Sequence, residues 1–131
     1  MARKPSDEEL ERWRSKNYGN YAVVCGRASE NLVVLDFESI DDAKAFFSGW
    51  DKLLEQTLVV ATPHGGAHVY LKLEGKVPER KIRIFGAEHP VDLLGEGGYA
   101  VAPGSVVECP EGGCNRGERG VYEVISKAEE P

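Results

Sequence analysis

The 131-residue sequence has no apolar run near the ~20 residues that a membrane-crossing helix needs. Its opening, MARKPSDEEL, has no apolar stretch of the kind found in secretory leaders. No membrane association is therefore expected, and the expected location is cytoplasmic. There is also no excess of positive charge: 16 Lys and Arg stand against 22 Asp and Glu, a net charge of −6. That balance argues against a protein that coats nucleic acid through a basic surface. It leaves room for polyphosphate binding in which a bound cation supplies the positive charge. Neither repeats nor low-complexity tracts occur, and the length suits one domain spanning residues 1–131.

Cysteine is scarce, with three in all. Cys25 lies in the apolar run YAVVCG and reads as a buried small hydrophobe. Cys109 and Cys114 flank PEGG at C-x4-C spacing. Two thiolates are half of a structural zinc set, and no neighbouring Cys or His in the sequence completes it. The spacing favours reduced thiols at a loop tip over a disulfide, and disfavours structural zinc at Cys109/Cys114.

The periodicities that are present predict an α+β domain, with helices packed on a mixed, largely antiparallel sheet. Ser6 and Glu9 form a capping box for a helix to about Lys16. Strands are expected at Tyr21–Cys25, Asn31–Glu38, Leu58–Thr62, Ala67–Leu73, Lys81–Phe85, Val91–Leu94, Tyr99–Ala102 and Val121–Ile125. A helix is expected over Asp41–Gln56, bent near Gly49. The core of the second strand, Leu32-Val33-Val34-Leu35, does not alternate, so it should be covered on both faces. Ser126–Pro131 is polar and is expected to fray.

Three features could carry chemistry. Asp36 and Glu38 end the most apolar strand and, two residues apart, point to one side at a spacing of ~6.5 Å. Carboxylates that close resist joint ionisation unless a cation lies between them, and Mg²⁺ or Mn²⁺ suits oxygen donors. An acidic strand end reaching solvent is the plainer alternative. The second feature is TPHGGAH, residues 62–68. Gly65 and Gly66 would let backbone approach a phosphate, and His68 could donate to it. Its plainer alternative is a hairpin turn with a solvated histidine. The third is Asp92 in VDLLGEGGYAVAPGS, which could equally be an edge-strand charge.

In order and spacing, NLVVLDFE, TPHGGAHVY and VDLLGEGGYAVAPGS resemble the bifunctional primase-polymerase (prim-pol) domain of the archaeo-eukaryotic primase superfamily, over roughly residues 5–125. The resemblance implies an RRM-like catalytic core and a template-directed nucleotidyl transferase of plasmid, viral or mobile-element DNA replication. It implies a two-metal site of Mg²⁺ or Mn²⁺ on Asp36, Glu38 and Asp92. It implies nucleotide binding by the Gly65-Gly66 turn and His68, with Ser105 beside the nucleotide. The partners it implies are nucleoside triphosphates, a single-stranded or primed DNA template, and a helicase or other replication protein. Leu94 stands where a basic residue is common in that family. A catalytically weak nucleotide- or nucleic-acid-binding module and a metal-dependent phosphoesterase or nuclease remain as alternatives.

Overall fold

A computed structural model describes residues 20–84 and 90–131. The helix expected from Ser6 to Lys16 lies outside the described residues. Among the described residues nine strands are formed: β1 (Ala22–Val24), β2 (Leu32–Phe37), β3 (Val59–Ala61), β4 (Ala67–Lys72), β5 (Val91–Leu94), β6 (Tyr99–Val101), β7 (Val106–Glu108), β8 (Arg119–Val121) and β9 (Glu123–Val124). Two short helices, α1 (Ile40–Phe46) and α2 (Trp50–Gln56), join β2 to β3. The main sheet has five strands in the order β5-β2-β4-β3-β9, and each pairing in it is antiparallel. Two-stranded ribbons β1-β6 and β7-β8 accompany it. The α+β architecture expected from the sequence is therefore present.

β2 is central because its apolar run can be buried on both faces. Leu35 and Phe37 face the helices, in a cluster with Val59, Val69 and Val91 and with Trp50 and Leu53 of α2. Phe37 meets Phe46 and Phe47 at ring-centroid distances of 5.7 and 6.0 Å. On the opposite face Leu32 and Val34 pack with Val60, Tyr70, Leu94, Cys25 and Ala100, the last two from the β1-β6 side. The alternation in β4 places His68 and Tyr70 on this second face, and both are buried.

The single bent helix expected over 41–56 is instead two. Ser39 caps the first, its hydroxyl accepting from the Asp41 N–H at 3.2 Å. The chain then leaves helical geometry at Phe47 and restarts from Gly49, whose φ of 113° suits only glycine. The strand expected at 81–85 is reduced, among the described residues, to a bridge between Lys81 and Leu93 followed by a turn in which Arg83 has φ 45°. The strand expected at 121–125 is interrupted at Tyr122, where the chain passes from β8 to β9. Beyond it, Ser126 Oγ accepts from the Val59 N–H, and the Lys127 N–H donates to the Leu54 carbonyl. Those bonds tie the start of the polar tail to the sheet and to α2. No helix among the described residues is long and apolar enough to cross a membrane.

Cys25 is fully buried and is the free cysteine, as its apolar surroundings suggested. Burial pushes its thiol up to about 11 from an ordinary 9.0. The folded-state value is raised, so this contribution to stability is present below about pH 9 and fades as pH rises through 11. With the Cys109–Cys114 pair oxidised, thiol titration at pH 8 should find no reactive group in the native protein and one per chain in denaturant. A fast-reacting native thiol would contradict this placement.

Candidate metal and nucleotide site

The face that buries Leu32 and Val34 turns polar beyond Val34, with Asp36 and His68 lining a cavity together with β6 residues Tyr99, Ala100 and Val101. Asp36 follows Val34 on that face, and the strand register decides what lies beside it. Asp36 is the direct cross-strand partner of Asp92 on β5 and of His68 on β4. Opposed residues on neighbouring antiparallel strands project to the same side, so the three stand abreast. His68 Nε2 lies 3.3 Å from Asp36 Oδ1. Nε2 is thus the ring nitrogen that faces Asp36, and Nδ1 is buried without a hydrogen-bond partner among the described residues. The Asp36 side chain is 39% exposed, against 7% for His68, so the pair opens towards solvent on the carboxylate side.

Glu38 lies just past the end of β2, its N–H bonded to the Pro90 carbonyl at 3.2 Å. Arg83 bridges it to Asp92. Its guanidinium Nη2 is 3.2 Å from Glu38 Oε1, and its backbone N–H donates to Asp92 Oδ1 at 2.9 Å. The turn at Arg83 thus fixes the outer two carboxylates in relation to each other. Arg83 belongs to the site for this structural reason, which no local signal in the sequence shows.

Asp36 and Asp92 stand side by side across the strands, and Arg83 links Glu38 to Asp92. Carboxylate oxygens are the donor type that magnesium- and manganese-class cations take. A cavity of about 430 Å³ opens over Asp36 and His68 and is lined also by Arg80, Tyr99 and Tyr122. The Tyr122 ring lies 5.8 Å from the His68 ring. Burial, and then the Asp36 charge, raise the Tyr122 phenol above its ordinary value and keep it protonated. Arg80 and Tyr122 are reached only through the fold, since each is distant in sequence from the motifs.

The glycine turn is built differently from a phosphate cradle. The Gly66 N–H donates to Thr62 Oγ1 at 3.0 Å, and the Gly65 N–H to the Thr62 carbonyl at 3.2 Å. Both amides expected to face a phosphate are therefore engaged within the turn. Gly66 is needed for close approach, because a Cβ there would collide with the Phe37 carbonyl and lie 2.7 Å from Thr62 Oγ1. The turn thereby seats the start of β4 against the end of β2 and brings His68 beside Asp36. Ser105 is only 3% exposed and does not line the cavity. Its carbonyl accepts from the Tyr122 N–H at 2.9 Å, so it supports the Tyr122 backbone from behind.

Cys109 and Cys114 differ from the expected reduced thiols: they are joined as a disulfide. A histidine also stands beside them. His64 Nε2 is 3.8 Å from Cys114 Sγ, although 50 residues separate the two in the chain.

An antiparallel sheet thus sets two aspartates and a histidine abreast, and Asp36 and His68 line the cavity beside them. The family model for the N-terminal domain of bifunctional DNA primase/polymerase matches residues 2–131, and the chain belongs to that family. Membership makes it a domain of the primase/polymerase nucleotidyl-transferase type. No curated protein matches the sequence.

Proposed function

We propose that this domain is a template-directed nucleotidyl transferase that adds nucleotides on a single-stranded or primed DNA template during replication. The observation that carries the reading is the register, in which Asp36 stands between Asp92 and His68. Asp36, Asp92 and Glu38 would hold two divalent cations of the Mg²⁺ or Mn²⁺ class, which when bound promote loss of the hydroxyl proton and neutralise charge on the leaving pyrophosphate. In the reaction a 3′-oxygen bonds to the α-phosphorus, the bond to the β-phosphate bridge breaks, and the hydroxyl proton is lost.

The residues of the chain position the reactants. His68, oriented by Asp36, holds a triphosphate oxygen, and Arg80 brings a cation to the same cavity. The rings of Tyr99 and Tyr122 offer flat surfaces for base and sugar. The Gly65-Gly66 turn contributes by close packing, and Ser105 contributes through Tyr122. The acidic net charge is consistent with phosphates being met by a few placed groups and by metal.

The test is incubation with Mn²⁺ or Mg²⁺, a primed or unprimed template and labelled nucleotides. Metal-dependent incorporation is expected, and His68→Ala should raise the KM for nucleotide by roughly 10-fold or more. Absence of product with the wild-type chain would reduce the domain to a binding module. Shortening of the template would instead favour a nuclease.

A further inference from the structure

Gly95, Glu96, Gly97 and Gly98 join β5, which carries Asp92, to β6. The Gly98 N–H donates to the Gly95 carbonyl at 2.9 Å, and Gly97 has φ 82°, which the third position of such a turn reserves for glycine. Gly97, Gly98 and the Tyr99 that follows them line the cavity over Asp36 and His68. A stretch so rich in glycine has much conformational freedom to lose, so a cavity wall made of it keeps its shape only when tied down.

Three ties are present. The Glu96 N–H donates to the Pro78 carbonyl at 2.8 Å, two residues before the cavity-lining Arg80. The Cys25 N–H donates to the Gly98 carbonyl at 3.0 Å. The third tie is made by a side chain: Glu96 Oε2 accepts from the Arg27 N–H at 2.8 Å. A substitution can therefore remove it and leave the two backbone ties in place. Its seat is shaped for it. Gly26 has φ 98°, and a Cβ there would collide with the Glu96 carboxylate. The seat is fixed in turn to the start of β2, the strand that bears Asp36, because the Gly26 N–H donates to the Leu32 carbonyl at 2.7 Å. Glu96 does not line the cavity that its neighbours line. It lines a separate one of about 410 Å³, with Arg27, Asn31 and Lys76.

We propose that Glu96 is a positioning residue whose carboxylate latches the Gly95–Gly98 turn to the Arg27 N–H and keeps the cavity wall in the shape that an incoming nucleotide meets. With the latch closed, the wall is ordered as the domain folds. Without it, the same ordering accompanies nucleotide binding and weakens it. The effect on nucleotides rests on the nucleotidyl-transfer reading, whereas the latch contact does not.

Glu96→Ala should raise the KM for nucleotide roughly 3- to 10-fold and leave kcat within about 2-fold. Glu96→Gln keeps an oxygen within reach of the Arg27 N–H and should restore the wild-type KM. Glu96→Asp, one methylene shorter, should behave like the alanine variant. Nucleotide affinity measured by calorimetry should follow the same order without needing turnover. Exchange of the Gly98 amide, read by NMR, should quicken roughly 10-fold or more in Glu96→Ala and stay level in Glu96→Gln. Thermal midpoints separate a loosened wall from a lost fold, and Glu96→Asp carries the comparison should Glu96→Ala melt below the assay temperature. Equal KM and Kd in the wild type, Glu96→Ala and Glu96→Asp overturn the latch, while incorporation by the wild type keeps the transferase reading. A wild type that binds nucleotide without incorporating it removes that reading and leaves the latch to be decided by Kd. A wild type that binds no nucleotide overturns both.

Discussion

Asp36→Asn should lower nucleotide incorporation by roughly 10²- to 10³-fold or more, an effect of the size seen when a preorganised electrostatic group is removed. Its thermal midpoint should stay level or rise slightly. The two expectations come from one geometry. Asp36 and Asp92 are cross-strand partners, and like charges directly opposed destabilise a sheet. Asparagine keeps an oxygen that can accept from His68 Nε2, so the ring stays oriented while the repulsion is removed. Lost activity with retained stability is the pattern of a group kept for chemistry at some cost to the fold. Steady-state incorporation assays paired with calorimetric melting would check it. A variant that loses activity only because it unfolds would remove Asp36 from the proposed metal set.

Phe37→Ala should do the reverse, costing about 3–5 kcal/mol of stability, the usual range for emptying a buried aromatic site. Phe37 is 1% exposed and packs against Phe46 and Phe47 and, within its cluster, against Val59 and Val91. No neighbour is placed to fill the space, because those contacts come from a helix, its C-terminal end and two other strands. The thermal midpoint should fall by roughly 10–20 °C for a domain of this size. Urea titration would give the free energy directly, and a loss under about 1 kcal/mol would mean that the helix face is not packed as described.

Much of this arrangement is legible in the sequence, and the reasons are local. β5 is found with its full span, and β2 and β4 to within a residue or two, because apolar runs and alternation are written into neighbouring positions. The expected Asp36–Glu38 pair rests on the two-residue strand period alone, and β2 ends at Phe37, one residue before Glu38. The place of Asp92 beside Asp36 depends on β5 pairing with β2 across the intervening β3, β4 and loops, and no local pattern encodes that register. The placing of His64 beside Cys114 escapes for the same reason, since the fold brings the two together from 50 residues apart. The break between α1 and α2 is a matter of degree: Gly49 is visible, but whether it bends or ends a helix depends on packing. The engaged amides of the Gly65-Gly66 turn are illegible too, because Thr62 Oγ1 satisfies one of them through a side-chain contact.

The alignment of Asp36 with Asp92 and His68 has a consequence for how this domain can change. In β2, charged Asp36 and apolar Phe37 are adjacent and point to opposite faces. Inserting or deleting one residue upstream in the strand would move Phe37 onto the polar end and thrust Asp36 among the helix-facing aromatics. The active geometry and the interior thus share a single reading frame in space. Drift by insertion or deletion is closed to β2, β4 and β5, and falls to segments such as the β7-β8 loop that can lengthen without shifting that frame.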